Sequence, residues 1–167
     1  MNKERTILGI DPGTGRCGYA VLKTENERRK TEIADCGCIE TKAKTPLPER
    51  LQIIFEKISD LIKKHNVTEM AIEELFFVKN IKTGISVSHA RGVIMLAGEL
   101  ARLEIAEYKP NEIKLAITGY GHATKEQMSK MLGLHLKGCN IKQDDTADAI
   151  AVALYHLQNK RVRYKEK

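Results

Sequence analysis

Four acidic residues have types and spacing that suit chemistry. Asp11 closes the apolar run Thr6-Ile7-Leu8-Gly9-Ile10 and is followed by Pro12-Gly13-Thr14-Gly15. Glu73 stands at the end of a second such run, Thr68 to Ile72, and Asp145 and Asp148 lie close together in Asp144-Asp145-Thr146-Ala147-Asp148. Phosphodiester hydrolysis needs an activated water, an in-line approach and neutralisation of charge on the attacking and leaving oxygens. Two divalent ions about 4 Å apart supply all three. Hard Mg²⁺ prefers oxygen ligands and keeps several waters, so three or four carboxylates are the expected protein share of such a site. Histidine or cysteine clusters would point to zinc or iron, and the sequence has none.

The four acids differ in how much else explains them. An acid opening a helix is commonly a cap, so Asp144 or Asp145 also reads that way. Asp148 falls on the apolar side, between Ala147 and Ala151. A carboxylate buried there is costly unless it is paired or binds metal. Residues three apart share one helical face, so Asp145 and Asp148 can reach a common point, where the helix dipole favours their ionised form.

Positioning these acids requires strands that end together. Thr6 to Ile10 reads as a strand entering a Pro/Gly turn, Cys17 to Leu22 as its partner and Thr31 to Thr41 as a third strand, with charged Lys23 to Lys30 as the turn between the last two. Short strands joined by turns predict an antiparallel meander. The period then changes. Leu51, Ile54, Phe55, Ile58, Leu61 and Ile62 form one helical stripe, with Pro46 and Pro48 near its start. Thr68 to Ile72 is the fourth strand, and a helix over Ile85 to Leu103 follows, striped by Val87, Ala90, Ile94, Ala97 and Ala101. Leu103 to Tyr108 is the fifth strand, and Asn111 to Ile117 a short helix. Thr124 with Gln127 forms a capping-box pattern for the next helix, and the last begins near Asp144. The expected architecture is α/β: a mixed five-stranded sheet, antiparallel in strands 1–3 and then parallel, with helices on both faces. If the first and fourth strands are parallel neighbours, Asp11 and Glu73 meet at the carboxyl edge, where open α/β sheets bind ligands.

A chain of 167 residues suits one domain with one core, assigned to residues 1–158 with a basic, frayed tail over 159–167. A net charge of +6 suits a polyanionic partner without demanding one. No apolar run is long enough to span a bilayer, and the short run ending at Asp11 is a poor export signal, so a cytoplasmic protein with no membrane partner is expected. Cys17, Cys36, Cys38 and Cys139 lack metal-site spacing and read as free thiols.

Four segments, in order and spacing, carry a resemblance that covers nearly the whole chain: "LGIDPGTGRCGYAV", "AIEELFFVKN", "SHARGV" and "DDTADAIAVA". Together they resemble the RuvC family of bacterial Holliday-junction resolvases, which implies an RNase H-like fold. The resemblance implies that Asp11 is the central ligand bridging two metals and that Glu73, Asp145 and Asp148 complete the set. Part of the family has histidine where Asp145 stands. It implies two Mg²⁺ per subunit, with Mn²⁺ able to substitute. Lys114 and Lys125 match lysines beside the active site, Lys79 and Arg91 fall in the matched segments as further DNA contacts, and Phe76 matches an aromatic that stacks on DNA bases. Phe76 and Phe77 are adjacent, and either could stack while the other packs.

The implied activity is resolution of four-way DNA junctions in recombination and repair. A homodimer would make paired, symmetric incisions that leave 5′-phosphate and 3′-hydroxyl ends, working with a branch-migration helicase complex. Ala90, Gly92, Ala97, Gly98 and Ala101 are compatible with a dimer seam on the long helix, or with packing of that helix on its own sheet. Three other readings remain at this point: a RuvX-type RNase H-like nuclease acting on RNA, an actin-like ATP-binding domain, and a junction-binding module without catalysis. "IEELFFVKN" argues against the first, and the lack of a second D-x-G strand-turn against the second.

Overall fold

A computed structural model describes residues 5–25, 30–75, 81–120, 123–135 and 144–159. The chain runs β1 (Arg5–Asp11), β2 (Arg16–Glu25), β3 (Lys30–Glu40), α1 (Leu47–His65), β4 (Glu69–Glu73), α2 (Ile81–Leu100), β5 (Glu104–Tyr108), α3 (Pro110–Thr118), α4 (Lys125–His135) and α5 (Asp144–Gln158). The five strands form one sheet in the order β3-β2-β1-β4-β5. β1 to β3 are antiparallel, and β4 and β5 run parallel to β1. This is the mixed sheet expected from the sequence.

Central strands need apolar side chains on both faces, and β1 and β4 supply them. Leu8, Ile10, Met70 and Ile72 face Ile54, Ile58, Leu61 and Ile62 of α1 and Ala90, Ile94 and Ala97 of α2. Ile7, Ala71, Ala106 and Tyr108 belong to the opposite core, under α5 with α3 and α4 outside it. α5 is buried nearly all round from Thr146 to His156, with Asp148 the half-buried exception.

Several boundaries differ from the sequence reading. The charged stretch from Lys23 is not all turn: β2 continues to Glu25 and β3 begins at Lys30. Pairing to neighbouring strands overrides the weak strand preference of charged residues. A shift in register, Val21 opposite Asp35 but Leu22 opposite Ile33, marks a bulge at Ala34. α2 begins at Ile81 rather than Ile85 and ends at Leu100 rather than Leu103. It stops where Arg102 takes a left-handed conformation (φ 56°) and Leu103 N–H donates back to Gly98 O. An arginine gives no warning of such an exit, which usually falls to glycine or asparagine. Val87 is half-buried and Ala101 exposed, while Gly98 joins Ala90, Ile94 and Ala97 on the buried side. Most of the small residues of α2 therefore pack on their own sheet. The capping box is present: Gln127 N–H donates to Thr124 Oγ1 at 3.3 Å, and Thr124 N–H to Gln127 Oε1 at 2.9 Å.

One polar network ties the amino-terminal end of β4 to its surroundings. Glu69 accepts hydrogen bonds from Arg5 Nε at 2.6 Å and Nη2 at 2.8 Å. Its other partner is His156 Nε2 of α5, 2.9 Å away, and Nδ1 of the same ring lies 2.7 Å from the Tyr108 hydroxyl. Burial alone would raise the Glu69 carboxyl, but the bonds and charges of Arg5 and His156 outweigh it and hold it well below the usual carboxylate range.

Candidate active site

Strand alternation decides where the first two acids point. Ile7, Gly9 and Asp11 share one face of β1, and Glu69, Ala71 and Glu73 share the same face of β4; this is the face covered by α5. The parallel register pairs Ile10 with Ile72, so Asp11 and Glu73 come one residue later on adjacent strands. Both therefore stand at the carboxyl edge of the sheet, as expected.

α5 brings the other two acids to that edge by an unusually close approach. A Cβ on Gly18, the antiparallel partner of Asp11, would lie 2.0 Å from the carbonyl oxygen of Asp145. One on Gly9 would lie 2.4 Å from Ala149 O and 2.7 Å from Ala153 Cβ. With glycine below and alanines above, the helix rests directly on the strands, and its first turn lies over Asp11. No larger residue fits at either glycine without moving backbone.

The resulting electrostatics are those of crowded like charges. Burial pushes the Glu73 carboxyl up, and the negative charge of Asp148 pushes it further. Lys114 of α3 and a hydrogen bond with Asp11 offset part of this, leaving Glu73 at about 7. A glutamate held well above the usual carboxylate range is what two crowded carboxylates of a partly desolvated cluster produce. Beneath them, burial pushes the Cys17 thiol up to about 12, so it stays a neutral packing group.

Asp145 is turned differently. Its Oδ2 accepts a 2.6 Å hydrogen bond from Arg16 Nε at the start of β2. Asp144, the alternative cap, is exposed. Among the described residues, no group of three or more aspartate, glutamate, histidine or cysteine side chains forms a ready-made metal cage. The donor set nevertheless fits a hard divalent cation. Glu73 interacts with both Asp11 and Asp148, the three supply only oxygen, and the charge of Asp148 weighs on Glu73 until positive charge arrives.

The structure places Lys114 where its charge acts on Glu73. Arg91, expected as a DNA contact, has its guanidinium mostly buried in an ion pair with Glu107 of β5. Glu107 points to the α2 side of the sheet, where a buried carboxylate needs a cation. Phe76, Phe77, Lys79, the side chain of Lys125, Cys139 and the tail beyond Asn159 lie outside the described residues. Arg16 was missed by sequence reading. Strand parity holds the signal that would have found it, since Arg16 is two residues before Gly18, the partner of Asp11. The Arg5–Glu69–His156 network had no such signal, because its members lie 64 and 87 residues apart.

An RNase H-like α/β sheet with acids at the carboxyl ends of β1 and β4 defines the class. The family model for crossover junction endodeoxyribonuclease RuvC matches residues 7–156, and the chain belongs to that family. The chain is 51% identical to the crossover junction endodeoxyribonuclease RuvC of Brachyspira hyodysenteriae over 93% of its own length and 95% of that protein. Its identity to the same-named protein of Halothermothrix orenii is 44%, covering 95% and 96% of the two chains. Among solved structures it resembles T. thermophilus RuvC in complex with Holliday junction substrate, with a TM-score of 0.84 and 27% identity over 91% of this chain and 92% of that one. The yeast mitochondrial Holliday junction resolvase Ydc2 shares the fold, with a TM-score of 0.70 at 15% identity over 92% and 78% of the chains.

Proposed function

We propose that this chain is a metal-dependent endonuclease that resolves four-way DNA junctions by paired, symmetric incision. The observation that carries the reading is the convergence of Asp11, Glu73 and Asp148 at the carboxyl edge of the sheet in a chain of the RuvC family. Asp11, Glu73, Asp148 and Asp145 hold two Mg²⁺ per subunit, with Mn²⁺ able to substitute. Bound there, the ions would activate water and stabilise the attacking and leaving oxygens of the phosphodiester, leaving a 5′-phosphate and a 3′-hydroxyl.

The protein's own groups prepare that site. Asp11 and Glu73 share a hydrogen bond, so the pair gives up a proton when a cation takes its place. Asp145 leaves Arg16 to join the set, and the freed guanidinium can then receive a phosphate oxygen. Lys114 offsets negative charge on the α3 side, and Lys125 and Lys79 are assigned by resemblance to DNA contacts. Phe76, or Phe77 in its stead, stacks on a base at the crossover.

Two incisions on two strands of like polarity need two sites, hence a homodimer. Ile81, Ile85, Leu96 and Leu100 of α2 are all half or more exposed. Their spacings of four and eleven return to one helical face, an apolar stripe that a second copy would cover. The protein is assigned to the cytoplasm, acting beside a branch-migration helicase complex. No described helix is long and apolar enough to cross a membrane.

The test is incubation with a mobile four-way junction and with linear duplex, in Mg²⁺ and in EDTA. Paired nicking of the junction only, and only with metal, is expected. Equal cutting of the linear duplex would reduce the reading to a general nuclease.

A further inference from the structure

On the face of the sheet opposite the carboxylates, an open cleft of about 330 Å³ lies between the turn after Asp11 and the first turns of α1 and α2. It is lined by Thr14, Gly15, Arg50, Lys82, Thr83 and Ser86, with Val87 as its apolar contribution. Two cations and three hydroxyls line this space, and none of the described lining residues is acidic.

Its walls are held by a chain of hydrogen bonds. Thr14 is buried; its hydroxyl accepts from Ser86 Oγ at 2.7 Å and its carbonyl from Thr41 Oγ1 at 2.5 Å. Thr41 Oγ1 in turn accepts from Arg50 Nε at 2.8 Å. Anchoring Nε fixes the plane of the guanidinium, and Nη2 lies against Gly15, where an added Cβ would stand 3.4 Å from it. A guanidinium oriented in advance loses less freedom on binding and presents the planar fork that matches phosphate oxygens. Lys82 adds an exposed point charge from the second position of α2.

We propose that this cleft binds a backbone phosphate of the DNA strand being cut, a few nucleotides from the scissile bond; the inference rests on the nuclease reading above. Thr14 follows Asp11 by three residues, at most ~10 Å of chain. Successive phosphates of one strand are about 3.4 Å apart along the helix axis, so the contact falls within about three nucleotides of the cut. A strand crossing the sheet edge over the β1–β2 turn then meets Lys114 on one face and Arg50 with Lys82 on the other. The paired grip fixes where the strand lies relative to the carboxylates, and it reads backbone rather than base sequence.

Junction binding is measured by fluorescence anisotropy in EDTA across a salt series, for wild type, Lys82→Ala, Arg50→Gln and the double variant. Each lost phosphate contact should lower the slope of log K against log salt by about 0.9, with affinity falling roughly three- to tenfold per variant. Junctions carrying one neutral methylphosphonate near the cut locate the contact. At one flanking position the substitution should weaken wild type and leave the double variant unaffected. Unchanged slope and affinity in Lys82→Ala and in the double variant would overturn the proposal, as would a methylphosphonate scan without such a position. Uptake of inorganic phosphate by wild type in calorimetry, with junction binding unaltered in the variants, would also overturn it by making the cleft a free-anion site. If Arg50→Gln lowers the melting temperature, Lys82→Ala and Lys82→Glu decide the matter alone. A wild type that fails to bind junctions sinks the nuclease reading itself, a separate result from failure of the variants.

Discussion

Glu69 and Glu73 lie four residues apart on one strand, on the same face and under the same helix, yet their environments are opposite. Glu69 meets Arg5 and His156, and those partners overcome burial and hold it ionised. Glu73 meets burial and the charge of Asp148, and is pushed up to about 7. The strand does not make the difference; the two ends of α5 do, one bringing His156 and the other Asp148. A fold can satisfy one carboxylate completely and leave its neighbour in electrostatic debt, and the second arrangement is the one that attracts a cation.

Removing an acid from the crowded end should have the largest effect. Asp11→Asn, Glu73→Gln or Asp148→Asn should lower junction cleavage by on the order of 10³-fold or more, several kcal/mol of transition-state stabilisation. Gel-shift binding should survive, since lost carboxylates repel phosphate less. Full cleavage by Asp11→Asn in Mg²⁺ would end the assignment.

At the satisfied end the effect should be on stability instead. Glu69→Ala leaves Arg5 and the buried His156 without their acceptor and should cost about 3–5 kcal/mol in urea denaturation. Cleavage by the fraction still folded should be retained. A loss of activity without loss of stability would mean that the two ends are not separate in role.

The two ends should also oppose each other in pH. The Glu69 carboxyl is lowered on folding, so its stabilisation is present above the unfolded value of 4.5 and lost as pH falls below it. The Glu73 carboxyl is raised on folding. Its neutral form therefore favours the folded state below 4.5, and that advantage is lost as pH rises through about 7. Melting temperature of metal-free protein should thus fall on both sides. Glu73→Gln should flatten only the neutral limb, and Mg²⁺ should raise the melting temperature more at pH 8 than at pH 5.5. A metal response equal at both pH values would contradict the place given to Glu73.

The smallest effect is expected from Arg16→Ala. The pair it forms with Asp145 is substantially exposed, so its loss should barely move the melting temperature. It should lower the Mg²⁺ concentration needed for half-maximal protection against thermal unfolding, because Asp145 no longer has to leave a competing cation. No change in that midpoint would make the contact incidental.

Much of this was legible from the sequence, because it depended on periodicity. Apolar runs ending in Asp11 and Glu73, the stripe from Leu51 to Ile62 and the three-residue spacing of Asp145 and Asp148 all follow from local pattern. The structure places Asp11, Glu73 and Asp148 together as that pattern suggested. What pattern could not show was which partner each charge finds. Arg91 belonged to a recognisable segment, yet its guanidinium pairs with Glu107 on a strand 16 residues further along. Asp145 meets Arg16 from the far end of the chain. The alanines and glycines of α2 looked equally suited to a dimer seam or to the sheet. Only packing could show that Ala90, Ala97 and Gly98 face inward while Ile81, Ile85, Leu96 and Leu100 face out.

The direct seating of α5 on Gly9 and Gly18 has a kinetic side. Amide hydrogens exchange with solvent at rates set by the cheapest opening that exposes them. From residue 147 to 153 every position but Asp148 is buried, and at the two glycines the helix meets the strands with no side chain between them. These amides should exchange only when the whole molecule unfolds. Asp148 is attached to this slow-exchanging segment, so the acid that crowds Glu73 should hold its position through every partial opening elsewhere in the protein.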